Sequence, residues 1–162
     1  MMCMKTLKLS TRFRQVLNWV LIVLSVSFFA ALFVFKDSLN DYASKMMQAQ
    51  AGSQTIQSES QLIDSVYNYN NNGLPYRFTF LEFGAIGCSS CKRMERVMYK
   101  IKAIYPNHVN VVFINIRLPE NRKIMEYFGV VAIPTQVLLD KEGKEYFRHT
   151  GYIPAEELEK FF

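Results

Sequence analysis

The stretch Val16–Phe35, VLNWVLIVLSVSFFAALFVF, runs for twenty residues without a charge, and its only polar side chains are Asn18, Ser25 and Ser27. As a helix rising ~1.5 Å per residue it would be about 30 Å long, the thickness of a bilayer's hydrocarbon core. A core helix of a soluble domain keeps a polar face over such a length, and this stretch has none. The sequence therefore predicts a transmembrane helix at 16–35, with the rest of the chain folding around a separate core. The chain is 50% hydrophobic and only 20% charged, and much of that excess lies in this segment.

The flanks predict an orientation. Lys5, Lys8, Arg12 and Arg14 precede the segment with no acid among them, whereas Lys36 is followed by Asp37 and Asp41. Positive charge is retained on the cytoplasmic side, so residues 1–15 form a cytoplasmic basic tail and everything beyond Phe35 is extracytoplasmic. The expected location is the cytoplasmic (inner) membrane, single-pass, with a periplasmic domain. Of 19 Lys and Arg, four stand in the first fifteen residues, and the remaining 15 face 14 Asp and Glu. The net charge of +5 is thus mostly topogenic, and no basic footprint for nucleic acid is left. The segment exceeds a cleavable signal's ~7–15-residue apolar region, and Ala30-Ala31 is followed by bulky residues. No cysteine follows it for lipid attachment, so the expectation is an uncleaved signal-anchor. Cys3 then lies in the cytoplasm as a free thiol without a role, and a start at Met4 would remove it.

Residues 36–60 are rich in Ser, Gln and Ala and read as a tether, helical near the membrane and flexible beyond Gly52. The domain is expected at 61–162. Leu62, Ile63, Val66 and Tyr67 mark one face of a short helix, ended by Asn70-Asn71-Asn72-Gly73. Strands are expected at Arg77–Phe83, Val109–Ile116, Gln136–Leu139 and Lys144–Thr150, the last two joined by a turn at Lys141-Glu142-Gly143. Helices are expected at Lys92–Ile104, Asn121–Phe128 and Ala155–Phe162. This alternation, closed by a hairpin, implies an α/β fold with a mixed central sheet flanked by helices on both faces.

Two of the three cysteines, Cys88 and Cys91, fall between the first strand and the helix after it. A helix N-terminus offers unpaired N–H groups and the positive end of the macrodipole, which favour thiolate over thiol. Cys88 is thereby the candidate nucleophile and Cys91, one turn on, the resolving thiol, with Lys92 and Arg93 adding positive potential. A zinc site needs about four ligands, and only His108 and His149 remain, far apart, so no metal is expected. A structural disulfide across two residues would constrain the unfolded chain little. A redox pair fits best.

At these residues the chain resembles the thioredoxin superfamily, over about its last hundred residues. FLEFGAIGCSSCK is similar to the strand and active-site turn, VVAIPTQVLLDKEGKE to the cis-proline segment and hairpin, and HTGYIPAEELEKFF to the closing strand, glycine turn and last helix. The similarity extends to membrane-anchored, extracytoplasmic bacterial thioredoxins, supplied with electrons by integral-membrane thiol transporters of CcdA/DsbD type. It implies a thioredoxin-like fold, with Cys88 and Cys91 as a redox disulfide. Pro134 would be the cis-proline, exposing Ile133 for pairing with a substrate strand beside Thr135, and Gly151 would lie at the rim where a partner approaches, a simple turn being the alternative. Glu82, six positions before Cys88, stands where the family keeps a buried aspartate that exchanges a proton with the inner cysteine. Among aromatic neighbours its pKa should rise, unless it points to solvent. Two departures bear on potential and partner choice: Gly87 replaces the family's tryptophan, and Ser89-Ser90 replaces Gly-Pro.

The expected function is thiol–disulfide oxidoreduction, mainly as a reductase, on disulfide-bearing extracytoplasmic proteins. No cofactor is expected, and the chain is expected to be monomeric. The alternatives are an oxidant that introduces disulfides and a copper-binding thiol chaperone.

Overall fold

A computed structural model of the protein describes residues 11–162, so Cys3, Lys5 and Lys8 lie outside the described residues. The chain forms two compact units, with the boundary between Leu39 and Asn40.

In the first unit, helix α1 (Thr11–Val34) carries the apolar segment. Its Arg12–Val34 span is long and apolar enough to cross a membrane, and none of it is buried within the protein. An exposed apolar helix of this length is the form expected of a signal sequence or a membrane anchor.

The second unit begins within α2 (Lys36–Gln50) and continues with α3 (Ser53–Tyr67) and α4 (Tyr69–Asn72). The stretch expected to be a tether is therefore largely helical. From Asn40 on, α2 is held by Ser44, whose Oγ donates to the Gly129 carbonyl at 2.6 Å and is itself buried. The helix expected at 61 begins at Ser53, and its inward residues are Glu59, Ile63 and Tyr67. Leu62 and Val66, expected on the buried face, are exposed. The inward stripe passes through polar Glu59, which hides it from a count of apolar residues.

The sheet has the order β2-β1-β3-β4, built from β1 (Phe78–Gly84), β2 (Val109–Asn115), β3 (Thr135–Leu139) and β4 (Glu145–Thr150). β1 runs parallel to β2 and antiparallel to β3, and β3 is antiparallel to β4. β1 and β3 are central and read as near-continuous apolar runs, as strands buried on both faces must. Leu81, Phe83, Val137 and Leu139 pack against α3 and α6 (Arg122–Phe128). Phe80 and Leu138 pack on the other face against α5 (Ser89–Ile104) and α7 (Ala155–Leu158). This is a thioredoxin-like α/β fold preceded by an apolar helix.

Strand register brings three chain segments to one place. Phe83 faces Thr135, and Thr135 faces Thr150. The end of β1, the start of β3 and the end of β4 therefore meet at one end of the sheet, and the turn carrying Cys88 leaves from there.

Candidate active site

The turn from β1 to α5 is shaped by Gly87, which has φ +90, a conformation that side chains rarely adopt. This gives a local reason for glycine where the resemblance implies tryptophan. Cys88 follows as the N-cap of α5, its Sγ accepting from the Cys91 N–H at 3.2 Å. Cys88 and Cys91 are joined as a disulfide, with Cα atoms 5.2 Å apart. Cys88 is half-buried and Cys91 only 3% exposed. Such asymmetry leaves one sulfur for a partner to reach and keeps the other inside. Ser90 Oγ lies 3.3 Å from the Cys88 sulfur.

Cys91 packs over the end of β1, where Gly84 makes room. A Cβ at Gly84 would stand 3.4 Å from the Cys91 Cβ and 2.8 Å from the Phe113 ring. Two residues earlier, on the same strand face, is Glu82, 1% exposed. Its cross-strand neighbours are Phe113 on β2 and Gln136 on β3. Gln136 Nε2 donates to Glu82 Oε2 at 3.0 Å, while Glu82 Oε1 has no partner. Burial pushes the Glu82 carboxyl up to about 8, against a smaller lowering by the Gln136 hydrogen bond. A carboxyl held near neutrality can both take and return a proton at physiological pH.

The peptide bond between Ile133 and Pro134 is cis. Pro134 is buried, and its carbonyl accepts from the Gly151 N–H at 2.8 Å. Thr135 Oγ1 donates to the Ala132 carbonyl at 2.8 Å, and Ile133 is half-buried. By strand register, Ile133, Pro134, Thr135 and Gly151 stand at the same sheet end as the disulfide. Exposed Ile86, Val131 and Tyr152 flank these segments, with the Arg93 guanidinium 4.6 Å from the Tyr152 ring centre. His108 lies at the opposite end of the sheet, its carbonyl accepting from Arg77 and Phe78. His149 is half-buried and faces Gln136 across the β3–β4 pair. Among the described residues no three His, Cys, Asp or Glu side chains converge as a metal-binding set.

Sequence reasoning missed Gln136 and Gly84, and named Ser90 only as a departure from the family's Gly-Pro. The signal for Gln136 was an amide inside the apolar run of IPTQVLL, and that for Gly84 a glycine closing an aromatic strand. Neither pattern names a partner without the strand register.

A strand, a helix capped by a cysteine disulfide and a cis-proline loop at one sheet end define a class of redox protein. The Thioredoxin-like domain family matches residues 64–162, and the chain belongs to it. It is a thioredoxin-like thiol–disulfide oxidoreductase with a redox-active Cys88–Cys91 pair. Among relatives, "Thioredoxin-like protein HCF164, chloroplastic" from Oryza sativa is 34% identical over 86 residues, covering 53% of this chain and 32% of that protein. "Thiol:disulfide interchange protein DsbD" from Haemophilus influenzae is 26% identical over 88 residues, covering 51% of this chain and 15% of that one. The chain thus matches a third or less of these relatives' lengths. A mutant thioredoxin from Halobacterium salinarum shares the fold, with TM-score 0.51 at 20% identity, covering 63% of this chain and 80% of that one.

Proposed function

We propose that the protein is a membrane-tethered reductase of protein disulfides outside the cytoplasmic membrane. The observation that carries this reading is the sulfur pair itself: Cys88 reachable at a helix N-terminus, Cys91 buried behind it. In the reduced form, the Cys91 N–H that now meets the Cys88 sulfur, with the positive end of the helix dipole, would stabilise its thiolate. That thiolate attacks a substrate disulfide, one substrate sulfur leaves as a thiolate and takes a proton, and a mixed disulfide forms. Cys91 gives its proton to Glu82 and attacks the Cys88 sulfur. The second substrate sulfur leaves as a thiolate and takes a proton from solvent, Glu82 returns its proton to solvent, and two electrons have passed from the dithiol to the substrate.

In this reading the backbone at Ile133, before Pro134, pairs with the substrate strand, an extended-peptide mode. Thr135, Gly151 and Gly87 border the approach. The next cycle needs two electrons from the cytosol, which a membrane thiol transporter of CcdA/DsbD type would supply. The likeness to an interchange protein supports that class of partner. In the proposed division of the chain, residues 1–15 are a cytoplasmic tail, 16–35 the membrane anchor, 36–60 the connection, which joins the redox domain's compact unit from Asn40 on, and 61–162 the redox domain. The anchor confines that domain near the transporter and raises its effective concentration.

The test is reduction of insulin disulfides by the full chain in detergent. Cys88→Ser should fall to background, and Cys91→Ser should accumulate a covalent Cys88–substrate adduct. Activity surviving Cys88→Ser would overturn the reading. Direction is read by equilibration with glutathione: a potential nearer the about −270 mV of thioredoxin than the about −120 mV of strong oxidants marks a reductase.

A further inference from the structure

Four residues stand in register across one face of the sheet: Phe113 on β2, Glu82 on β1, Gln136 on β3 and His149 on β4. The buried carboxyl of Glu82 therefore has a hydrocarbon neighbour on one side and an amide on the other. Gln136 is fully buried, and its Nε2 makes the one side-chain hydrogen bond that Glu82 receives. An amide in a strand core, where leucine or valine would pack as well, is costly to bury unless its polar atoms are used. Here one end of it is used, and it is used on the carboxyl.

We propose that Gln136 is a positioning residue of the exchange reaction, its amide fixing the orientation of the Glu82 carboxyl and stabilising its ionised form. The inference rests on Glu82 serving as the base for Cys91. The ionised carboxylate accepts the Gln136 N–H as a charge-assisted bond, stronger than the same bond to a neutral carboxyl. Without it, burial beside Phe113 would hold the proton on Glu82 and leave Cys91 without an acceptor near neutral pH. The two atoms of the pair that lack partners, Glu82 Oε1 and Gln136 Oε1, are both acceptors when Glu82 is ionised. The other titratable groups toward this row are Cys91 from α5 and His149 from β4, with Glu95, Tyr99 and Lys102 of α5 lining the hollow that Phe113 borders. The oxidised chain removes the first from titration.

The experiment tracks the Glu82 side-chain carboxyl carbon by NMR from pH 5 to 10, in the oxidised full chain in detergent micelles. The Gln136 side-chain amide is observed in parallel. In the unmodified protein, the amide signals should shift with the same midpoint as the Glu82 carbon, and a flat amide overturns the proposal without any variant. Gln136→Leu and Gln136→Met should raise the Glu82 midpoint by about one pH unit, a tenfold change in proton affinity. A midpoint that stays or falls overturns the proposal. His149→Gln should leave the midpoint within about 0.3 units, and a larger change would assign the effect to His149 rather than to Gln136. The pH profile of insulin reduction separates the role of Glu82 from that of Gln136. If Glu82→Gln leaves that profile unchanged, the base assignment fails and this inference with it. If Glu82→Gln removes the inflection but Gln136→Leu does not move it, Glu82 stands as the base and Gln136 alone is rejected.

Discussion

Glu82 stores a pH dependence in the fold. Its ordinary pKa is 4.5, and in the folded protein burial raises it to about 8. The folded state thus binds this proton more tightly than the unfolded chain does. The group's contribution to stability is complete below about pH 4.5 and is lost as pH rises toward about 8. Glu82→Gln keeps the shape and abolishes the charge. It should leave stability unchanged at pH 4 and raise it by about 2–3 kcal/mol at pH 7.5, measured by thermal unfolding at the two pH values. An equal gain at both would assign the effect to packing. The price of that gain should be the resolving step, so the stabler variant should be the slower enzyme. The carboxylate was legible in the sequence because Glu82 stands among Phe80, Leu81 and Phe83. Its partner was not, because Gln136 is 54 residues away and reaches it only through the pairing of two strands.

At the scale of elements, strands and turns announced themselves through β-branched and aromatic runs punctuated by glycine and proline. VNVVFIN, closed by Pro106-Asn107 before it and Pro119 after it, became β2 within one residue of expectation. The helices before the domain were harder. KDSLNDYASKMMQAQ spaces Leu39, Tyr42, Ala43, Met46 and Met47 at helical intervals, yet Leu39, Tyr42 and Met46 are exposed, and what holds the second half is a serine hydroxyl on the carbonyl that ends α6. Arg148 Nη1 donates to the same Oγ at 3.3 Å, so Ser44 is the centre of a small buried network. Ser44→Ala should cost about 1 kcal/mol of domain stability and speed amide hydrogen exchange over residues 40–50, with the sheet unaffected. Unchanged exchange there would mean that α2 is held by other contacts.

For the whole molecule, an uninterrupted apolar helix stands ahead of the redox domain, as a signal sequence or a membrane anchor would. With α1 as an anchor, the full chain should stay in the membrane fraction through an alkaline carbonate wash, and a chain lacking residues 1–35 should be released. Cys88, once reduced, should react in intact cells with a membrane-impermeant maleimide. Labelling only after lysis would reverse the proposed orientation and remove the extracytoplasmic substrates with it.

The sequence by itself determined the presence of a span-length apolar helix, the order of strands and helices, and the redox chemistry of the cysteine pair. Each of these is carried by neighbours along the chain: a run without charge, a period of two or of about 3.6, two sulfurs one turn apart. Only the tertiary structure decided that Gln136 hydrogen-bonds Glu82, that Gly84 leaves space for Cys91, and that residues from 40 onward join one compact unit with the sheet. These are contacts between segments distant in sequence, and strand register and helix docking create them.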